Sequence, residues 1–308
     1  MSWHVIRWES FDPVRRALVF SINDGYALPL QVLLHSLHHT DSVPHGLPVF
    51  ILHGASLSPS TMAALDTSFR GFGHPTRFID VSPVVPADLP IRPGDHVTPE
   101  TFFRLYSTGL LPPDLDQAVY LDADLLAIRE VRALFSATLT HPLAAVDHLS
   151  PADQLRVHGP AGGTYFQAGV LLLDLHRWRT MAIEARFRDI LERDRDRIRW
   201  WDQDVLNIAL ANDWQRLPVW YNVTEAVLHH APPDEVAANA RLIHFAGSAK
   251  PWTSNRPHPY RDAWDEAYRL ALGMAYVRKD RRTTLLHRVG RRLHRLGGAL
   301  GTPRGGVR

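Results

Sequence analysis

The chain contains no cysteine. Disulfides and thiolate metal sites are therefore excluded, and nothing points to an oxidising compartment. No apolar run approaches the roughly 20 residues that a membrane span needs. The first residues, Met-Ser-Trp-His-Val-Ile-Arg-Trp-Glu, lack the basic-then-apolar layout of a secretory leader. These absences set the expectation of a cytoplasmic protein. Internal repeats and low-complexity tracts are missing too. What is present is a globular composition: 308 residues, 45% hydrophobic and 21% charged, enough for one large core or two modest ones.

The net charge of +2 hides an asymmetry. Residues 278–308 hold ten Arg or Lys against one acid, Asp280, a balance of +9, so the rest of the chain carries −7. Within this segment Leu285, Leu286, Val289, Leu293 and Leu296 recur at spacings of three and four, with Arg288, Arg291, Arg292 and Arg295 on the other faces. That pattern predicts a basic amphipathic helix. The chain thus divides into a body, 1–275, and a basic tail, 276–308. One reading docks the tail on an anionic membrane leaflet; another makes it a solvated or partner-bound terminal helix. Nucleic acid is the weaker candidate, because no aromatic residue interleaves with the charges.

The body alternates strand and helix. Apolar runs at 17–22, 49–52 and 118–121 predict strands, and 77–81 reads as another. Between them lie a helix with Leu30, Leu33, Leu34 and Leu37 on one face, a second opened by Ser58-Pro59, and, after a proline-rich loop, a third from Thr98 to about Leu111. This order predicts a parallel α/β sheet with right-handed crossovers. Ligands in such sheets bind beyond the carboxyl ends of the strands, which puts residues 23–26 and 122–124 on one rim. Further strands are expected at 143–146, 170–175 and 242–245. A basic helix is expected to about Arg197, and another is opened by Trp200-Trp201-Asp202-Gln203-Asp204.

Residues 118–126, Ala-Val-Tyr-Leu-Asp-Ala-Asp-Leu-Leu, carry the densest chemistry. Asp122 and Asp124 are the only charges in the run. Two apart on a strand, they leave its end on one face. Paired carboxylates repel and raise each other's pKa unless a cation lies between them. Two readings stand side by side: a divalent-cation site facing a diphosphate, or a pair of turn or capping aspartates.

Five islands, namely residues 20–26, Arg104, 121–124, 166–174 with Trp178, and 202–204 followed by 243–252, resemble the family 8 glycosyltransferases. This retaining group includes bacterial lipopolysaccharide galactosyl- and glucosyltransferases and glycogenin. The resemblance spans roughly residues 17–255. It implies a GT-A fold, a Rossmann-like, mostly parallel sheet with helices on both faces, together with a UDP-sugar donor and a manganese ion in preference to magnesium. Asp122 and Asp124 match the family's Asp-X-Asp, and His244 the histidine that completes the metal ligands. Gly247 and Lys250 match the positions that hold the phosphates, Tyr26 the residue that stacks on uracil, with Ser21 and Asn23 beside it. Arg104 matches an arginine that braces the aspartates and donor. Asp147, Gln167, Ala168, Gly169, Asp202 and Gln203 match the donor-sugar pocket. Asn23 and Gly25 depart from the family's common aspartate and asparagine, and Gln167 from its asparagine. Trp200, Trp201 and Trp252 are candidate walls for the sugar subsites.

The implied reaction moves a hexose, glucose or galactose foremost, from UDP to a saccharide acceptor of lipopolysaccharide or another cell-surface glycan. A lipid-linked acceptor would suit an enzyme peripheral at the inner face of the cell membrane. Gln203 matches the position that lies beneath the anomeric carbon in the family, and an amide is a feeble nucleophile. Front-face departure is therefore expected, with Asp202 as the alternative nucleophile. Two other readings share the aspartates: a metal-dependent nucleotidyltransferase, which lacks its basic Gly-rich loop here, and a catalytically inactive sugar-nucleotide or membrane-surface binding module. The histidines 35, 38 and 39 read as surface residues.

Overall fold

A computed structural model describes residues 15–160, 162–253 and 256–277. The expected amphipathic tail helix lies outside these residues. Among the described residues there are nine strands: β1 (Arg16–Ser21), β2 (Val49–His53), β3 (Thr76–Asp80), β4 (Gln117–Leu121), β5 (Leu125–Ala127), β6 (Leu143–Asp147), β7 (Phe166–Asp174), β8 (Gln215–Leu217) and β9 (Leu242–His244). Seven form one sheet in the order β3-β2-β1-β4-β7-β6-β8, and β5 pairs with β9 apart from it. Within the large sheet β7 alone runs antiparallel to its neighbours β4 and β6. The expected mostly parallel α/β sheet is present.

Its inner strands β1, β2 and β4 read as near-continuous apolar runs because both faces are covered. In β1, Ala17 and Val19 enter one core while Leu18 and Phe20 enter the other. The helix Ala27–His39 covers the second face with Leu30, Leu33, Leu34 and Leu37. Ser58 caps the helix Pro59–Gly71 by accepting from the Thr61 N–H, with proline at the first turn.

Three expectations shift. The segment after Thr98 is a 3-10 helix, Pro99–Tyr106, followed by a single α-turn, Ser107–Leu110. Glu100 and all of Phe102 to Tyr106 are buried, so packing on several sides, not one apolar stripe, sets its winding. The long basic helix is two helices, Leu175–Thr180 and Ile183–Arg193, broken at Ala182, which sits in the left-handed region at φ 48°. Trp178, anchored by its indole N–H to the Pro142 carbonyl at 2.8 Å, and Phe187 enter the same core, and one straight helix would not deliver both. Finally, β7 begins four residues earlier than expected and takes in Phe166 to Gly169.

His74 is buried with Nδ1 against the Leu47 carbonyl at 3.2 Å, and burial holds its pKa below the ordinary 6.5. The folded state therefore binds its proton at lower pH than the unfolded chain does. This contribution to stability is complete above about pH 6.5 and is lost as pH falls through that value towards the depressed one. The urea midpoint should drop between about pH 7.5 and pH 5.5, and His74→Asn should reduce that drop. An identical pH slope in the variant would refute the assignment to His74.

Candidate functional site

β4 ends at Leu121, and Asp122-Ala123-Asp124 cross to β5, which starts at Leu125. Two backbone bonds fix this bend. The Asp122 N–H donates to the Gly169 carbonyl at 2.9 Å, and the Phe245 N–H to the Asp124 carbonyl at 3.0 Å. Antiparallel pairing of β5 with β9 sets Leu125 opposite His244. That register carries an imidazole across 120 positions to the two carboxylates. His244 Nε2 lies 3.2 Å from Asp124 Oδ1 and 3.7 Å from Asp122 Oδ2. One ligand atom from each of the three residues falls within a 4.8 Å cluster.

The donor set fits a divalent cation. His244 Nδ1 donates to Asn222 Oδ1 at 2.8 Å, so Nε2 presents its lone pair to the aspartates. Asp124 Oδ1 is buried and accepts no hydrogen bond from the described residues, which is costly for an anionic oxygen unless a cation serves it. Two carboxylates with one imidazole suit manganese better than magnesium. Gly169 leaves the room required: a Cβ there would stand 2.2 Å from His244 Cε1 and 3.1 Å from Asp122 Oδ2.

Fixed cations flank the triangle. Lys250 Nζ is 2.5 Å from both Asp124 Oδ2 and the Phe245 carbonyl. Burial pushes the Asp124 carboxyl up, but Lys250 and His244 outweigh it and hold it well below the usual carboxylate range. Arg104 lies over the Tyr120 ring at 4.2 Å and donates to Asp122 Oδ1 at 2.7 Å and to the Ala168 carbonyl at 2.5 Å. Its Nε stands 2.9 Å from Asp202 Oδ2. Burial would strip its charge; Asp122 and Asp202 reverse that and raise its pKa. Burial pushes Asp202 up to about 7, opposed by Arg104 and aided by repulsion from Asp122.

Asp202 and Gln203 open the helix Trp201–Leu210. Gln203 Oε1 accepts from the Ala168 N–H at 3.0 Å, and its Nε2 donates to the Tyr165 hydroxyl at 3.1 Å. Tyr165 in turn donates to Asp204. Asp204 is fully buried and also accepts from both terminal nitrogens of Arg156 and from the backbone N–H groups of Arg199 and Trp200. The amide therefore has one orientation, set from behind by a saturated carboxylate. Trp201, at φ 47°, is a bulky residue in the left-handed region. Its indole N–H donates to Asp95 at 2.7 Å and its ring meets His96 edge-on at 5.1 Å.

These groups surround a cavity of about 410 Å³ at the carboxyl ends of β1 and β4. Ser21, Asn23, Tyr26, Arg104, Asp122, Asp124, Gln167, Ala168, Asp202, Gln203, His244, Gly247 and Lys250 line it, as do Trp200 and Trp201. Trp252 stands behind, edge-on to Tyr26 at 6.1 Å. Gly169 lies under the imidazole. Asp147 is not on this wall; its carboxylate pairs with Arg216 at 2.7 Å. His96, Thr98, Glu100 and His148 also line the cavity. None of the four carried a ligand signal in the sequence: His96 lies in the proline-rich loop, Thr98 and Glu100 read as a helix start, and His148 follows a strand end. Asn222 and Tyr165 were equally hidden, their partners being 22 and 38 residues away.

The sequence model of glycosyl transferase family 8 matches residues 17–256. General stress protein A of Bacillus subtilis (strain 168) is 25% identical over 262 residues, 80% of this chain and 91% of that protein. A lipopolysaccharide 1,2-glucosyltransferase of Escherichia coli (strain K12) is 29% identical over 163 residues, 49% of this chain and 48% of its own length. The solved structure of the galactosyltransferase LgtC, in complex with donor and acceptor sugar analogues, superposes with a TM-score of 0.72 at 25% identity. It covers 86% of this chain and 98% of that one.

Proposed function

The chain belongs to glycosyl transferase family 8, and on that premise we propose that it transfers a hexose from a UDP-sugar to a saccharide acceptor with retention of anomeric configuration. Glucose and galactose are the first candidates, and lipopolysaccharide or a related cell-surface glycan the acceptor. The observation that carries the reading is the Asp122, Asp124 and His244 triangle on the wall of the cavity that Gln203 also lines. A manganese ion held by these three would neutralise the diphosphate and the charge left on UDP, worth several kcal/mol.

The remaining work falls to the chain's own groups. Lys250 and Gly247 take the phosphates, the one as a compact cation and the other by close backbone approach. Arg104 keeps Asp122 aligned. Gln203, locked between the Ala168 N–H and the Tyr165 hydroxyl, keeps its carbonyl oxygen toward the sugar as positive charge develops. Asp204 is saturated with donors and makes a poor nucleophile. Asp202, already paired with Arg104 and with its carboxyl pushed up by burial, suits a sugar hydroxyl better than covalent attack. Front-face departure follows, the leaving phosphate oxygen accepting the acceptor's proton.

A panel of UDP-sugars incubated with manganese should show slow hydrolysis of one or two of them, and a saccharide acceptor should convert hydrolysis into transfer. Gln203→Ala should lower kcat by about a hundredfold while leaving KM for the donor within a few-fold. Complete loss of turnover, with a glycosyl adduct on a neighbouring carboxylate, would overturn front-face departure. Hydrolysis of no UDP-sugar would overturn the donor assignment.

A further inference from the structure

Asn23 follows β1 in extended backbone, at φ −122° and ψ −178°. Its Nδ2 donates to Thr98 Oγ1 at 3.1 Å and to Glu100 Oε2 at 3.3 Å. Glu100 is only 6% exposed, and its other carboxyl oxygen accepts from the Ser56 hydroxyl. The loops after β1, β2 and β3 thus meet at one buried carboxylate. A carboxylate only accepts hydrogen bonds. The end of the Asn23 amide that faces it must be the NH₂ group, and both its hydrogens have partners. The other end, Oδ1, accepts no hydrogen bond from the described residues. Gly25 keeps that side open, since a Cβ at this position would stand 3.2 Å from Oδ1.

We infer that Glu100 is a specificity-determining residue: by fixing the Asn23 amide it presents a lone acceptor to the nucleobase, so the site takes a base with an imide N–H and rejects cytosine. The inference rests on the UDP-sugar reading of the cavity. An asparagine free to rotate pairs with either pyrimidine, as acceptor toward the N3–H of uracil or as donor toward the N3 lone pair of cytosine. Held by Glu100 and Thr98 it is an acceptor alone. Uracil donates to it; cytosine turns a lone pair to a lone pair and leaves both atoms unpaired. A site built around a hydrogen bond discriminates strongly against an analogue that cannot make it. The pair Asn23 and Glu100 in this way performs with an amide what a carboxylate at position 23 would do with its own charge.

Calorimetric titration in the presence of manganese, with UDP, CDP and N3-methyl-UDP, tests this. Wild type should favour UDP over CDP by at least about tenfold, and methylation of N3 should cost a similar factor. Glu100→Gln, whose own amide can donate or accept, should shrink the UDP-to-CDP ratio about fivefold or more, chiefly through tighter CDP binding. A folded Glu100→Gln protein with an unchanged ratio overturns the role of Glu100. If that variant does not fold, Asn23→Ala decides, on a side chain half in solvent: an unchanged ratio there overturns the readout, and a ratio near one supports it. Wild type that binds another nucleoside diphosphate but neither pyrimidine one overturns the UDP-sugar reading itself.

Discussion

Asp124→Asn should abolish manganese-dependent UDP binding and lower transfer about a thousandfold, the factor corresponding to some 4 kcal/mol of lost charge stabilisation. The substitution keeps the shape of the side chain and removes its charge. Two partners suffer. His244 Nε2 loses the carboxylate oxygen 3.2 Å away, so the proposed cation site would keep two ligands of three. Lys250, nearly buried and 2.5 Å from Asp124 Oδ2, keeps its ammonium without a counter-charge. Stranding one member of a buried pair costs about 3–5 kcal/mol, so a fall in thermal stability should accompany the loss of activity. EDTA on the wild type separates the two effects: it should silence transfer without touching the Lys250 pair, and so lower stability far less than the substitution does. An Asp124→Asn protein that retains more than about a tenth of wild-type turnover would remove the metal from the mechanism.

Gly169→Ala should be nearly as damaging although it adds one methyl group and no charge. The new Cβ would sit 2.2 Å from His244 Cε1 and 2.6 Å from Nδ1. Something has to move. The backbone of β7 is pinned between β4 and β6 and accepts the Asp122 N–H at the glycine itself, so the imidazole yields. Turning it away breaks the Asn222 hydrogen bond and swings Nε2 off the aspartates. Loss of such an orienting contact typically costs 10- to 100-fold in metal affinity, and about a hundredfold weaker manganese binding is expected here because the ligand itself is displaced. Manganese titration by paramagnetic relaxation reads this directly. Wild-type affinity in a folded Gly169→Ala protein would show that His244 is not a ligand.

The sheet was legible because a parallel sheet covered on both faces writes its strands as continuous apolar runs. Residues 17–22, 49–52 and 118–121 read that way, and so they fold. β5 and β8 are three residues each and carry no pattern above background. The site suffers from their brevity. Nothing in the spacing of Asp124 and His244 says that they meet; the meeting is made by β5 pairing with β9, a non-local event that only the family resemblance anticipated. Gln203 was legible through the same resemblance, whereas what holds it, Tyr165 and Asp204, depends on how helix Trp201–Leu210 packs on β7. Glu100 was read as part of a helix start. Its burial, which gives it a role, belongs to the tertiary structure alone.

The left-handed backbone at Trp201 has a consequence for the whole cavity. A bulky residue there stores roughly 1–3 kcal/mol of strain, retained because the indole is tied to Asp95 and braced by His96. Asp95 and His96 stand on the stretch that runs directly into Thr98 and Glu100, and His96, Thr98 and Glu100 line the same cavity as Gln203. One short span of chain therefore ties the turn before Asp202 and Gln203 to the Thr98 and Glu100 wall of the cavity. A shift of either wall would have to work against that strained joint.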